Sequence, residues 1–400
     1  MIFGLTLLVM LCSAGIAIDF GRAWRVASRS ESALEAAGLA AAKAMNENDS
    51  LTDSDVRQIA LDYYAANTAR FTVQGVTVSG LTVVLDRPND TVMLSANLSI
   101  PTTITRIIQI NSVDFTKTAN VTYKMKRVEL AMVLDVTGSM LDPAGTGNTK
   151  LQDMQTAAKM VVDTLIVDGQ PPKLVRVGLA PFSSSVNAGP YAAAVSGGRS
   201  ADGCVIERAT GNPDTDVAPG PGTYLGIQGD LSGAGSYTCP AALVYPMSNN
   251  RISLKTTIDG FSAGGATAGH IGAEWGWYLI SPMWTSIWPT ASDPAAYGDP
   301  KYIKAVLLMT DGQFNTANTT VTSADQILES EARARAACTN MKADGVIVYT
   351  VGFIPPPVAE QLLKDCATGP SYYFNASDGL QLQSAFSNIV AHLQNLRVTR

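Results

Sequence analysis

Five oxygen-bearing side chains in three separate stretches of the sequence have the types and spacing of a cation site. They are Asp135, Thr137 and Ser139 after the apolar run "VELAMVLD", Thr267 in the glycine-rich "GGATAG", and Asp311 in "TDG" after a second apolar run. Carboxylates, hydroxyls and water are the ligands that a hard divalent cation prefers, with octahedral geometry at about 2.0–2.1 Å for Mg²⁺. The chemistry to expect is binding of Mg²⁺, or of Mn²⁺ or Ca²⁺.

The elements that must position these residues alternate between strand and helix from residue 127 onward. Continuous apolar strands are predicted at "VELAMVLD", "VRVGLAPF", "YIKAVLLMTDG" and "VIVYTVGF", with helices at "LQDMQTAAKMVVDTLI", "ADQILESEARARAACTNMKADG" and "GLQLQSAFSNIVAHL". This alternation predicts an α/β fold with a doubly wound, mostly parallel sheet covered on both faces. Ligands of such sheets bind at the carboxyl ends of the strands, where the five side chains should converge.

Other interpretations of these stretches fit the sequence less well. "DVTGSM" can be an ordinary strand-to-helix turn with a capping Thr or Ser. "GTGNTK" lacks the spacing of a phosphate-binding loop, and Ser139 is not in a G-x-S-x-G elbow. His270 and Glu274 are one helical turn apart, but we read them as ordinary positions on the helix that follows Thr267.

At these residues the chain resembles a known family. The order D-V-T-G-S, GGAT and TDG, each after a predicted strand or loop of the right kind, is similar to the three loops of the metal-ion-dependent adhesion site of von Willebrand factor type A domains. Thr137 stands where that family usually has serine, and its hydroxyl is retained. The resemblance implies that Ser139 and Thr137 contact the metal directly, that Asp135, Asp311 and Thr267 complete the site, and that an acidic group of a partner takes the open coordination position.

The front of the chain narrows the resemblance further. A span ending in "AIDFGRAW", a long helix, a small sheet domain and a type A domain with "GHIGAEWGWYLISP" are similar to TadG-like proteins of the bacterial tight-adherence (Flp) pilus assembly system. This implies an envelope protein of pilus assembly, surface anchoring or adhesion.

Composition excludes several classes of function. A chain of 400 residues with 46% hydrophobic residues can form two or three domains with cores of their own, and a net charge of −6 gives no basic field for nucleic acid. Its two histidines disfavour a histidine-based zinc site or a Ser-His-Asp triad.

The first eighteen residues carry no charge, and charged residues begin at Asp19. That length is close to what a helix needs to cross a hydrocarbon core of about 30 Å, so we predict a single-pass membrane anchor at residues 1–20. A cleaved signal peptide is the alternative, although the stretch lacks a basic start and the helical pattern continues beyond it. Arg22, Arg25 and Arg29 would place the following residues in the cytoplasm.

The cysteines favour the opposite orientation. Besides Cys12, four cysteines form two sequence-local couples, and three pairings are possible; we favour Cys204 with Cys239 and Cys338 with Cys366, over four unrelated buried thiols. Such bridges persist in an oxidising compartment, which predicts a bacterial inner-membrane protein with its bulk on the periplasmic or extracellular side.

The predicted organisation is an anchor at 1–20, a long helix with a small α+β, pilin-like domain at 21–126, and a type A domain at 127–400. A second helix is expected at 52–66, and strands at 70–125 with the turn "DRPND" between two of them. An insertion at 187–240 should rise beside the metal, because the strand before it ends at that face. The four tryptophans after Thr267 are packed core or, for the later ones, a surface that docks the front domain.

Three function classes follow from these observations. The first is a metal-dependent binding module of a pilus or adhesion apparatus. The second is a structural envelope protein whose type A site is unused. The third is a metal-dependent hydrolase, which lacks an evident general base near the five ligands. We predict binding rather than catalysis, with a protein partner that offers an acidic group.

Overall fold

The computed structural model describes residues 2–47, 51–71, 75–86, 91–122, 126–208, 213–231, 237–318 and 323–398. The chain divides into two compact units, Met1–Met125 and Lys126–Arg400. The sequence analysis predicted the boundary between the small domain and the type A domain at residues 126 and 127.

The first unit contains two helices and an antiparallel three-stranded sheet. Helix α1 is Ile2–Glu47 and α2 is Asp53–Thr68; the strands are β1 (Thr77–Asp86), β2 (Thr91–Pro101) and β3 (Ser112–Thr122), in the order β1-β2-β3. A capping box formed by Thr52 and Asp55 fixes the start of α2, where a helix was predicted. The predicted turn "DRPND" lies mostly in residues 87–90, outside the described residues.

One face of the small sheet packs on α1. Alternate residues of β2 are buried, as expected for a half-buried antiparallel strand. Small side chains of α1, including Ala37 and Ala41, are fully buried and allow close packing. Ser30 and Tyr64 join α1 to α2 through a buried hydrogen bond of 2.7 Å between their hydroxyls.

The membrane anchor predicted at residues 1–20 is not confirmed. Among the helices that the structure describes, none combines the length and apolar composition required to span a bilayer.

The second unit is built on a six-stranded sheet. Its strands are β4 (Arg127–Asp135), β5 (Val175–Phe182), β8 (Tyr245–Ser248), β9 (Tyr302–Thr310), β10 (Ile347–Phe353) and β11 (Tyr373–Ala376), in the order β11-β10-β9-β4-β5-β8. All neighbours are parallel except β5 and β8. The predicted doubly wound, mostly parallel sheet is confirmed. The chain leaves β4 toward β5 and later returns to the other side of β4 as β9, so the topological switch point lies between β4 and β9.

Helices cover both faces of this sheet because its strands are apolar on both faces. They are α3 (Lys150–Leu165), α4 (Ala192–Ser196), α5 (Arg251–Asp259), α6 (Gly269–Ile280), α7 (Ser323–Ala343), α8 (Pro357–Cys366) and α9 (Gly379–Val398), with a short antiparallel pair β6 (Val186–Asn187) and β7 (Cys204–Val205) in the insertion. In β4, Leu130 and Met132 belong to one core and Ala131 and Val133 to the other.

Helix α6 lies very close to the sheet and to the loop after β9 because three of its glycines face them. A Cβ atom built on Gly269 would come within 2.0 Å of the Phe314 ring, one on Gly272 within 2.6 Å of Phe182, and one on Gly276 within 2.3 Å of Val133. Only glycine permits this approach. It holds the amino end of α6, and the loop before it, against the carboxyl ends of the strands.

The tryptophans after Thr267 are core residues, so the docking role considered for the later ones is wrong. Trp275, Trp277 and Trp284 are at most 2% exposed and Trp288 is 4% exposed. Trp284 stacks on Tyr278 with ring centroids 4.0 Å apart. The indole nitrogens of Trp277, Trp284 and Trp288 bond inside the same unit, as from Trp288 to the Tyr278 carbonyl at 2.9 Å.

Candidate metal site

Three loops meet at the carboxyl ends of β4 and β9. The first loop follows Asp135 and contains a short 3₁₀ helix at Gly138–Leu141. The second is the glycine-rich stretch that precedes α6, and the third begins at Asp311 after β9. Each carries residues that the sequence assigned to the site.

The first and third loops are joined directly through their side chains. The Ser139 hydroxyl donates to Asp311 Oδ1 at 2.7 Å, and the Thr310 hydroxyl donates to Asp135 Oδ2 at 2.6 Å. Asp135 Oδ1 accepts the backbone N–H of Thr137 at 2.8 Å. The Thr137 and Ser139 hydroxyl oxygens are 3.2 Å apart.

The second loop is fixed to both of the others. Gly138 N–H donates to the Gly265 carbonyl at 3.0 Å, and Gly264 N–H donates to the Val136 carbonyl at 2.8 Å. A Cβ atom on Gly312 would lie 3.6 Å from Thr267 Oγ1, which places that hydroxyl against the third loop. The structure therefore brings together all five residues that the sequence singled out.

The oxygen spacing suits a small octahedral cation. Adjacent ligands at about 2.0–2.1 Å from an octahedral ion are about 2.9 Å from one another. The Thr137–Ser139 and Ser139–Asp311 oxygen separations, 3.2 and 2.7 Å, bracket that value. The oxygens of Thr137, Ser139 and Asp311 are thus spaced as neighbouring ligands of the predicted cation would be, and Ser139 is half-buried.

The carboxylate content of the site is low. Within the described part of the chain, no group of three or more His, Cys, Asp or Glu side chains is placed to hold a metal. Asp135 and Asp311 are 0% and 3% exposed. Burial and the neighbouring charge of Asp311 raise the pKa of Asp135 to about 7. A cation bound here would therefore have to take much of its coordination from hydroxyls.

Lys150 is a charged neighbour that the sequence analysis missed. Its ammonium nitrogen lies 2.8 Å from Asp311 Oδ2, and its side chain is 10% exposed. Lys150 is the first residue of α3, after the capping Thr149, where the helix dipole disfavours a cation. The ion pair with Asp311 compensates for that position. One of the two carboxylates of the site is therefore already paired with a protein cation.

His270 and Glu274 lie under the second loop and outside the site. His270 Nδ1 is 2.8 Å from the Ser330 hydroxyl, and its Nε2 is 3.7 Å from Glu207. Burial raises the pKa of Glu274. Both residues belong to α6, as expected, but they are buried in a cluster of polar side chains. The sequence analysis did not predict this cluster.

The insertion at 187–240 borders the second loop and then runs along α6. The Ser185 hydroxyl donates to the Thr238 carbonyl at 2.8 Å, and a Cβ atom on Gly265 would come within 2.8 Å of Thr238 Cβ. Farther along, the Asp216 carbonyl accepts the Trp284 indole N–H at 3.0 Å, beyond the other end of α6. The insertion is therefore packed along the helix, and Thr238, near its end, lies against the second loop.

Both favoured disulfides are present in the structure. Cys204 pairs with Cys239 and closes the insertion, and Cys338 pairs with Cys366 and joins α7 to α8.

No family model and no curated protein matches the chain. Among solved structures, it is similar to the PilB minor pilin from Streptococcus sanguinis (13% identity, TM-score 0.41, covering 81% of this chain and 80% of that one). It is also similar to the vWF domain of the type V pili tip protein Mfa5 from Porphyromonas gingivalis (12%, 0.42, 69% and 97%) and to the pilus adhesin RrgA from Streptococcus pneumoniae (10%, 0.38, 79% and 49%).

Proposed function

We propose that this protein is a bacterial envelope protein of pilus assembly or adhesion that binds an acidic partner group through a divalent cation. The observation that carries the proposal is the convergence of the three loops, with hydroxyl and carboxylate oxygens at octahedral spacing. Thr137, Ser139, Thr267 and Asp311 would hold Mg²⁺ or Mn²⁺. Asp135, which is buried behind them, would complete the site without contacting the cation directly. The Flp pilus apparatus is proposed from the resemblance of the sequence to TadG-like proteins.

The charge of the site supports an anionic partner. The two carboxylates and the Lys150 ammonium together carry one net negative charge when Asp135 is ionised. A divalent cation would convert this to one net positive charge at a partly exposed position. When bound, the cation supplies the electrophilic position, and the chain's own loops orient it.

The two disulfides support an oxidising location. Cys204–Cys239 and Cys338–Cys366 each close a loop that would lose its cross-link in a reducing compartment. The proposed place is the periplasmic or extracellular side of the inner membrane, with residues 1–20 as the anchor.

Binding is favoured over hydrolysis by the positions of the two histidines. His270 is buried against Ser330, and the His392 ring nitrogen is 3.0 Å from the Tyr349 hydroxyl. Neither contacts Ser139 or Asp311, so neither is placed as a general base for a reaction at the cation.

One observation favours a second candidate, a structural envelope protein whose site holds no metal. The Lys150 ammonium group already pairs with the Asp311 carboxylate, as a metal ion would. In that case Lys150 would be a permanent substitute for the metal, and partner binding would not respond to Mg²⁺.

Capture of envelope proteins by the immobilised full chain, with Mg²⁺ or with EDTA, distinguishes the two. We expect capture in Mg²⁺ to be lost in EDTA and in Thr267→Ala, because this variant removes one ligand hydroxyl without unpairing Lys150. Thr164→Ala, an exposed threonine of α3, is the matched control and should behave as wild type. Equal capture in Mg²⁺ and EDTA would favour the structural candidate.

A further inference from the structure

The first unit carries an apolar loop and a basic groove that the cation site does not explain. The apolar loop is residues 103–110, "TITRIIQI", between β2 and β3. The basic groove has a volume of about 650 Å³ and lies between α1 and the end of α2. The apolar loop lies beside the end of the uncharged stretch at residues 1–18, and the basic groove lies beyond that end.

The apolar loop is exposed yet firmly held. Ile107 is 85% exposed, and Ile108 and Ile110 are 45% and 44% exposed. The Asp19 carboxylate accepts the backbone N–H groups of Thr103, Ile104 and Thr105 at 2.7–3.0 Å. A charge that accepts several backbone donors holds a loop strongly. The isoleucines are therefore displayed to the surroundings on a fixed support.

The hydrogen bonds to Asp19 fix the position of the apolar loop along α1. A Cβ atom on Gly15 would come within 2.6 Å of Ile104 Cγ2, so the loop lies beside the last turns of the uncharged stretch. On α1 itself Ile16 and Ile18 are also about half exposed. The loop and this part of α1 therefore both expose isoleucine side chains.

Aromatic and basic side chains follow next along the helix. Phe20 and Trp24 are 48% and 53% exposed, and their rings stack 6.3 Å apart. Exposed Trp beside arginines at the end of an apolar surface is typical of the interface between hydrocarbon and water. Arg25 begins about 10 Å beyond Ile18 along the helix axis, at 1.5 Å per residue. Its side chain can reach a headgroup layer roughly 5–8 Å thick.

The basic groove has the composition of an anion site. Arg25 and Arg29 from α1 and Arg70 after α2 line it, together with Ser28 and Ser32. Within the described ranges, no carboxylate forms an ion pair with any of these three arginines. Three uncompensated guanidinium groups beside hydroxyl donors suit a phosphate group, which accepts several hydrogen bonds at once.

We propose that the first unit docks on an anionic membrane surface, with the 103–110 loop at the acyl boundary and the Arg25–Arg29–Arg70 groove on a phospholipid headgroup. The occupant is a bilayer because the apolar surface, the aromatic residues and the basic groove follow one another in the order of a lipid leaflet. The inference is independent of the cation site and does not require that any helix crosses the membrane.

Lipid binding by the full chain in dodecyl maltoside tests the groove. By calorimetry, wild type should bind dioctanoyl phosphatidylglycerol and not dioctanoyl phosphatidylcholine. Each arginine near an anionic headgroup contributes roughly fivefold, so Arg25→Gln/Arg29→Gln/Arg70→Gln should bind about 100-fold more weakly. Arg57→Gln, an exposed arginine of α2 outside the groove, is the matched control. Equal binding by the triple variant, or equally tight binding of inorganic phosphate, would overturn the assignment.

A nitroxide label tests the loop in vesicle-bound protein. In a Cys12→Ser background, a label at Ile107→Cys should be accessible to oxygen and shielded from a water-soluble nickel complex. A label at Ile252→Cys, where the native side chain is 77% exposed in the second unit, should be accessible to nickel. The same nickel accessibility at both positions would show that the loop faces water instead of lipid, and shielding from both nickel and oxygen would show that it faces a protein; either result would overturn the proposal.

Discussion

The two ends of the six-stranded sheet both bury charged side chains, but with opposite balance. At the amino end, Glu129 of β4 pairs in register with Arg176 of β5 and Lys304 of β9. One carboxylate there meets two cations. At the carboxyl end, two carboxylates, Asp135 and Asp311, lie near one cation, Lys150, which pairs with Asp311.

The hydrogen bonding at the two ends differs in the same way. Lys304 Nζ donates to Glu129 Oε2 at 2.5 Å and to the Ile280 carbonyl at 2.7 Å, and Glu129 also accepts the N–H of Ala295 at 3.0 Å. The terminal nitrogens of Arg176 bond Glu129 and two carbonyls. The amino end is thus a closed structural cluster. At the carboxyl end, hydroxyl oxygens lie beside two carboxylates and one cation, so negative charge is in excess there. A cation site requires this excess.

The largest expected effect breaks the amino-end cluster. Glu129→Ala leaves two buried cations without their carboxylate partner and should lower the free energy of unfolding by about 3–5 kcal/mol. Urea unfolding with and without Mg²⁺ measures this, and the loss should be the same in both. Asp259→Ala, which breaks an exposed pair with Lys159, should cost less than about 1 kcal/mol. A comparable small loss for Glu129→Ala would show that the amino end is not a closed structural cluster.

The next effect concerns Lys150, the cation paired with Asp311 at the carboxyl end. Lys150→Met removes a positive charge next to the proposed metal, so Mn²⁺ should bind at least tenfold more tightly, since like charges a few Å apart repel strongly in a buried site. The metal-free variant should melt at a lower temperature than wild type because Asp311 loses its partner.

Lys159→Met, at an exposed position of the same helix, serves as the control for Lys150→Met. Unchanged or weaker Mn²⁺ affinity in Lys150→Met would mean that Lys150 does not compete with the cation.

The smallest effect probes the support behind the site. Thr310→Val keeps the shape of the side chain but removes the donor to Asp135 Oδ2. We expect a loss of about 1 kcal/mol in unfolding free energy and a few-fold weaker Mn²⁺ affinity, because Asp135 is less well oriented. Thermal melts and calorimetry measure the two quantities. If Mn²⁺ affinity is unchanged, Asp135 has no part in holding the cation.

Much of the sheet could be predicted because its signals are local. Apolar runs such as "VELAMVLD" and "VIVYTVGF" are long enough to be read as buried strands, and the helices between them have clear faces. The antiparallel edge strand β8 and the short α8 and β11 carry weaker signals. The close approach of α6 follows from Gly269, Gly272 and Gly276, whose spacing is visible in the sequence although the side chains they meet are not.

The site residues could be predicted from motifs, whereas their neighbours could not. Thr149 and Gln152 form a capping box, so the start of α3 is readable from sequence. The partner of Lys150, however, is Asp311, 161 positions away. The path of the insertion along α6 was equally hidden, because it depends on contacts such as Asp216 with Trp284.

Titration of the full chain with Mn²⁺ by calorimetry tests the central claim most directly. Wild type should bind one Mn²⁺, Ser139→Ala/Thr267→Ala should bind it at least about 100-fold more weakly through the loss of two ligands, and Thr164→Ala should match wild type. Absence of saturable binding in wild type, or equal binding in the double variant, would contradict the assignment of these loops as a metal site.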